Sequence, residues 1–296
     1  MSSANNLTAD FLRSIPVPQP SPDGDKDERG RVLVIAGSRE VPGGALLAGV
    51  AALRAGAGKL QIATSASIAT HLGLAVPEAL VIALPELPTG GIALESADLL
   101  IERANRCDAV LIGPGMVDNE AASKFAGALL EGLKSPCLVL DAAALSKIKD
   151  HRDLLRRQAG RIVITPHSGE MAALLEIPRK EVVADPLGTA RKAAASLQCV
   201  VALKGSVTHI VTPQGEAWTF REGNVGLATS GSGDTLAGII VGLLARGAVP
   251  LQAAQWGVYL HGEAGNRLAS SYAPLGFLAR ELLAEVPRIM RDLAPA

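Results

Sequence analysis

The chain has 296 residues, a formal net charge of −1, 48% hydrophobic residues and only 3% aromatic ones. This balance excludes a basic nucleic-acid surface, and the Ala, Leu, Val and Ile content suffices for a large core without disulfides. The three cysteines, Cys107, Cys137 and Cys199, are odd in number and lack metal-ligand spacing, which fits a reducing, cytoplasmic compartment, with Cys137 and Cys199 as core residues of apolar strands.

Residues 1–30 are polar, carry Pro16, Pro18, Pro20 and Pro22, and show no apolar signal-peptide region, so they read as a loose N-terminal arm. Residues 31–296 read as a single domain. Short apolar runs at 32–36, 59–64, 79–84, 109–112, 137–140, 162–164 and 200–203 are expected strands. Helical patterns fall at 43–57, 96–107, 120–133, 185–197, 251–271 and 277–293. The more polar, alternating runs 209–211 and 216–220, joined by Pro213-Gln214-Gly215, read as a hairpin. Arg54 and Arg246 interrupt the longest apolar helices, so no membrane span is expected. The alternation predicts an α/β fold, a mainly parallel central sheet with helices on both faces. Ligands of such sheets bind beyond the carboxyl ends of the strands. Those ends carry Gly37-Ser38, Gly113-Pro114-Gly115, Asp141, Thr165-Pro166-His167 and Lys204-Gly205.

The richest stretch is 224–246, NVGLATSGSGDTLAGIIVGLLAR, a glycine-rich loop feeding into a helix. Leu236, Ile239, Ile240, Leu243 and Leu244 form the stripe of a helix with one buried face. The amides of Gly231, Ser232 and Gly233, at the positive end of that helix, form an anion hole for a phosphate or a developing oxyanion. Asp234 is the only carboxylate between Glu222 and Glu263. It is either a helix-start acid that favours the dipole or a general base beside a phosphate. No Walker A element, first-turn GxGxxG or GxSxG elbow is present, and Ser232 reads as a small loop residue rather than a nucleophile. Glu170 is a helix-start acid or a neighbour of a metal ion. His167 is a site residue or a loop histidine. Lys204 either reaches to solvent or lines a nucleotide edge with its backbone and Gly205.

The runs KGSVTHIVTPQGEAW and NVGLATSGSGDTLAGII resemble the nucleotide half-site of the ribokinase-like superfamily. RVLVIAGS, GGALLAGVAALRAGAG, VLIGPGM, LVLDAAAL, TPHSGEMAALL and YLHGEAGNRLA extend the resemblance over 30–270. TPHSGE together with GGALLAGVAALRAGAG is similar to the ADP/ATP-dependent NAD(P)H-hydrate dehydratases, whereas vitamin kinases of this fold typically carry Asn at the place of His167. The resemblance implies repair of NADHX and NADPHX, the hydrated nicotinamide cofactors, with ADP as co-substrate and Mg²⁺ on its phosphates. Asp234 would be the catalytic base. Gly44, Gly115, His167 and Asp234 would hold the hydrated nicotinamide. Lys204, Gly205, Ser206, Val207, Thr208 and Gly233 would hold ADP and AMP, and Glu170 would reach magnesium through water. The family often has a second Asp where this chain has Ala143, Gly at Val117, and Thr-Gly-Gly-Thr-Gly-Asp where Ser230 and Ser232 stand here.

The resemblance also implies a homotetramer. With about 30 residues before the first strand, the chain has no room for the epimerase domain fused to many members, so a separate NAD(P)HX epimerase is expected to supply the S epimer. A small-molecule kinase of the same fold, acting on a thiazole or pyrimidine alcohol, is the alternative reading. A non-catalytic nucleotide sensor is a third.

Overall fold

Alternating runs of β-branched residues and glycine turns build the centre of the molecule. The computed structural model describes residues 4–21, 23–117, 119–158 and 160–294. Among the described residues, ten strands form one sheet. The first half of the chain supplies β1 (Asn5–Asn6), α1 (Ala9–Ser14), β2 (Arg31–Ile35), α2 (Pro42–Arg54), β3 (Lys59–Ser65), α3 (Ala66–Ala75) and β4 (Ala79–Leu84). Next come α4 (Ala97–Ala104), β5 (Ala109–Ile112), α5 (Asn119–Gly132), β6 (Cys137–Leu140), α6 (Arg152–Arg157), β7 (Ile162–Ile164) and α7 (Ser168–Leu175). The chain ends with α8 (Arg179–Ala184), α9 (Pro186–Leu197), β8 (Val200–Leu203), β9 (Thr208–Val211), β10 (Ala217–Phe220), α10 (Ser232–Ala245), α11 (Pro250–Ser271) and α12 (Ala279–Asp292).

The strand order is β1-β10-β9-β8-β7-β6-β5-β2-β3-β4. From β4 to β8 every pairing is parallel, and β8-β9-β10 form the antiparallel ribbon expected around Pro213-Gln214-Gly215. Both faces of the sheet are buried, as a parallel sheet requires. Along β2, Val32 and Val34 join the core beneath α2, α10 and α11, while Leu33 and Ile35 join the core beneath α4 and α5. This two-sided burial explains why the strands read as continuous apolar runs. Among the described residues, no helix is long and apolar enough to cross a membrane.

Two expectations are corrected. The arm is not loose over residues 5–17: Asn5 and Asn6 add a parallel strand beside β10, and Leu7, Leu12 and Val17 are buried. The indole nitrogen of Trp256 donates to the Ile15 carbonyl at 2.8 Å, and the Arg246 guanidinium donates to the Pro18 carbonyl at 2.8 Å. The prolines suggested an unanchored segment, but partners more than 200 positions away supply the anchors. Residues 1–3 and 22 of that arm lie outside the described residues. The second correction concerns α10, which is buried all round rather than along one stripe. It lies between the sheet and helices α2, α11 and α12. Gly238 and Gly242 let the backbone of α2 at Ala48 and Ala52 approach where a Cβ would collide. Helix α3 was not expected. It follows β3 without a breaker and stops at Val76, just before Pro77, where the following ring disfavours helical backbone.

Candidate active site

The sheet reverses its winding between β2 and β5: β3 and β4 add on one side of β2, and β5 to β8 on the other. A crevice opens at the carboxyl ends at such a reversal. Strand β2 ends in Gly37 and β5 in Gly113-Pro114-Gly115, and the Gly37 amide donates to the Pro114 carbonyl at 2.8 Å. Gly115 has φ +63°, and Gly44 in the first turn of α2 packs against it. A Cβ on Gly44 would stand 2.7 Å from the Gly115 amide nitrogen. Gly44 and Gly115, two of the four residues expected around the nicotinamide, therefore pack backbone against backbone.

The neighbouring strands bring charge. Asp141 directly follows β6, Thr165 follows β7 and Lys204 follows β8. Asp141 is 1% exposed and accepts two hydrogen bonds on Oδ1, from Thr165 Oγ1 at 2.7 Å and from Lys204 Nζ at 2.8 Å. Lys204 thus turns inward to a buried carboxylate and does not reach for solvent. Its ammonium also faces the glycine-rich loop, since a Cβ on Gly233 would lie 3.2 Å from Nζ. Burial alone would lower the Lys204 pKa, but the Asp141, Glu170 and Asp234 carboxylates outweigh it and hold the ammonium above its ordinary value.

Asp234 enters from the other side, on the first turn of α10. Gly231, at φ +84°, makes the left-handed bend that starts this helix, with no side-chain cap. Burial pushes the Asp234 carboxyl up to about 6, the Asp141 and Glu170 carboxylates add to the rise, and Lys204 opposes it. A carboxylate with that pKa beside a fixed cation is suited to accept a proton near neutral pH. Simple capping of the dipole would lower the pKa.

His167 and Glu170 hold each other at the start of α7. The Gly169 and Glu170 amides donate to His167 Nδ1 at 2.9 and 3.1 Å, and the His167 amide donates to Glu170 Oε2 at 2.7 Å. The helix-start reading of Glu170 is therefore realised. His167 Nε2 lies 3.5 Å from Glu170 Oε1, and its backbone bridges to Lys204, which puts this cap beside the charged cluster. Gly205, Ser206 and Val207 form the turn between β8 and β9, and Thr208 opens β9. Gly205 and Ser206 are exposed at the same edge, and no hydrogen bond among the described residues ties positions 205–208 to Asp234.

Two groups carry more weight here than the sequence suggested. Asp141 was one strand-end residue among several, and its pairing with Lys204 spans 63 positions. His261, in the middle of α11, went without a role. Its Nε2 stands 2.7 Å from the hydroxyl of Ser232. The only hint was a polar ring inside YLHGEAG, a run otherwise fit for a buried helix.

A family model described as NAD(P)H-hydrate dehydratase matches residues 32–288. The ADP-dependent (S)-NAD(P)H-hydrate dehydratase of Xanthomonas campestris is 47% identical over 289 residues, covering 97% of this chain and 96% of that protein. The bifunctional NAD(P)H-hydrate repair enzyme of Moorella thermoacetica is 38% identical over 97% of this chain, which spans 54% of that longer protein. The crystal structure of the ADP/ATP-dependent NAD(P)H-hydrate dehydratase of Bacillus subtilis, co-crystallised with ATP and Mg²⁺, superposes with a TM-score of 0.82 at 30% identity, covering 99% of this chain and 100% of that one. The matched span takes in every strand from β3 to β10 and the whole Asp141–Lys204–Asp234 cluster, and the chain belongs to the NAD(P)H-hydrate dehydratase family.

Proposed function

We propose that this protein removes water from the S epimer of NADHX or NADPHX and couples the step to conversion of ADP to AMP and phosphate. The observation that carries the reading is Asp234, raised to about 6 by burial, at a helix start where Gly233 faces the Lys204 ammonium. Hydroxide is a poor leaving group and phosphate a good one, so the hydroxyl must first be phosphorylated. Asp234 takes the proton of the ring 6-hydroxyl as that oxygen attacks the terminal phosphorus of ADP. The bond to the bridging oxygen breaks and AMP leaves. The Gly231–Gly233 amides and Lys204 offset the charge that develops on the transferring group. The ring nitrogen's lone pair then expels phosphate to leave an iminium ion, loss of the C5 proton to water restores the 5,6 double bond of the reduced nicotinamide, and Asp234 returns its own proton to solvent. Gly44 and Gly115 give the ring a close backbone surface, and His167 borders it. Positions 204–208 border the nucleotide.

The donor set fits a magnesium ion that arrives with the nucleotide. Magnesium keeps most of its water and needs only one or two protein carboxylates beside phosphate oxygens. Glu170 Oε2 is engaged by the His167 amide, but Oε1 has only the imidazole at 3.5 Å and is the oxygen to take a metal-bound water. When bound, magnesium neutralises phosphate charge. A cytoplasmic homotetramer supplied by a separate epimerase completes the reading. Exposed Leu74, Leu80, Leu94 and Leu99 around edge strand β4 support an interface between copies.

The test is direct. Purified protein, S-NADHX and Mg²⁺ are mixed with ADP or ATP, and the near-ultraviolet absorbance of the reduced nicotinamide is followed. A rise with ADP, accompanied by AMP and free phosphate, is expected. A rise with ATP alone would move the nucleotide preference. No rise with either, with phosphate transferred to a thiazole or pyrimidine alcohol instead, would replace the dehydratase by a kinase.

A further inference from the structure

The first turn of α10 carries both the anion-binding amides and Asp234, so its rotation sets the geometry of the site. Its backbone anchors are few. Gly231 supplies no side-chain cap, and the Ser232 amide reaches the Thr229 carbonyl only at 3.3 Å. First-turn amides have no partner within the helix by construction. Thr235 fixes the inner side of the turn, with its amide and hydroxyl donating to the Gly231 carbonyl at 3.0 and 3.1 Å. On the other side, the Ser232 hydroxyl, in a residue only 4% exposed, meets His261 Nε2 at 2.7 Å. That histidine belongs to α11, a helix of 22 residues packed against α10 and against β7, β8 and β9. The Ser232–His261 bond thus ties the start of one helix to the middle of another.

We propose that His261 is a positioning residue for the reaction: by holding the Ser232 hydroxyl it fixes the first turn of α10, and with it the Gly233 amide and the Asp234 carboxylate. The inference rests on the dehydratase reading and deepens it. The imidazole serves here as a neutral hydrogen-bonding group. Burial and the Lys204 ammonium pull its pKa down to about 4, against a smaller opposing hydrogen bond with the Ser232 backbone. Neutrality matters, because a second cation beside Lys204 would compete for Asp234. It also means that an uncharged amide able to reach Ser232 should serve in its place, whereas an apolar side chain of similar size should not.

The experiment measures kcat, both KM values and Tm for His261→Leu, His261→Gln, Ser232→Ala, Ser232→Thr and the His261→Leu/Ser232→Ala double variant. Calorimetry follows ADP binding in parallel. His261→Leu and Ser232→Ala should each lower kcat about 10–100-fold, the cost of a displaced reacting group, with KM values and ADP affinity changed less than about threefold. The double variant should be no worse than the poorer single one, since both remove the same bond. His261→Gln and Ser232→Thr should recover to within about threefold of the parent. Multiplicative losses, a Gln variant no better than Leu, or a kcat loss that follows Tm would each overturn the positioning role. Should the parent protein show no turnover of S-NADHX with ADP, both the role and the dehydratase reading fall. Should it turn over with unimpaired variants, only the role of His261 falls.

Discussion

The two edges of the sheet use the same kinds of side chain to opposite effect. At the amino-terminal edge, a cavity of about 620 Å³ is lined by Lys26, Arg31, Lys59, Glu78, Arg103 and Arg106, among others. There Asp27 pairs with Lys59 and Arg31 at the surface, its side chain 41% exposed, and these hydrogen bonds lower its pKa. At the carboxyl-terminal edge, Asp141 and Lys204 form their pair largely out of water, and Asp234 beside them has its pKa raised by burial, with Lys204 only partly offsetting the rise. The lesson is that solvation, more than charge, decides what a carboxylate can do. An exposed ion pair contributes little, because water already serves both partners. A buried cluster with one carboxylate too many holds a group ready to take a proton.

Asp234→Asn should give the largest effect on activity, a fall in kcat of about 10²–10⁴-fold, read by the nicotinamide assay. The same variant should raise stability at neutral pH. The folded-state pKa of about 6 lies above the ordinary 3.8, so the folded protein binds this proton more tightly. The group's contribution to stability is therefore present at low pH and is lost as pH rises through about 6. Removing the carboxylate removes that loss, at most about 3 kcal/mol by linkage, of which about 1.4 kcal/mol falls above pH 5 and is readable from urea melts at pH 5 and 8. In the parent, kcat/KM should fall about tenfold per unit below pH 6, where the base is protonated. A flat profile through that range would place the base elsewhere.

Asp141→Asn comes next. It leaves the Lys204 ammonium buried without its closest anion, so a loss of about 3–5 kcal/mol is expected in urea denaturation. Gly44→Ala should cost about 10–100-fold in kcat/KM for S-NADHX, because the new Cβ displaces the Gly115 backbone, while calorimetric ADP affinity stays within about threefold. The smallest effect belongs to the opposite edge. Asp27→Asn should leave activity unchanged and Tm within about 1 °C. A shift of several degrees would mean that the amino-terminal edge is not as water-served as its exposure indicates.

Much of this could be read along the chain. The short β-branched runs mark the central strands to within a residue or two, because a strand buried on both faces has no other composition open to it. Strands at 79–84, 109–112 and 137–140 coincide with β4, β5 and β6. Gly231 to Asp234 announces a helix start, since local backbone rules alone demand glycine at a positive φ. The order of the strand-end residues, from Gly113 through Asp141 and Thr165 to Lys204, is likewise sequential, and parallel packing turns sequence order into spatial order.

What tertiary structure alone decided is the partner of each polar group. Residues 5–17 read as unanchored because their contacts lie on β10 and α11, at the far end of the chain. The sequence leaves Lys204 open between reaching to solvent and lining a nucleotide edge, because nothing near it in sequence is acidic enough to hold it, and only the fold brings Asp141 to it. His261 was passed over since one histidine in a helix has no periodicity, and its bond to Ser232 crosses 29 positions. Backbone conformation follows from neighbours along the chain, so the sequence determined the elements and the loop. Solvation and hydrogen bonding depend on neighbours in space, so the raised pKa of Asp234 and the grip on Ser232 exist only in the folded protein.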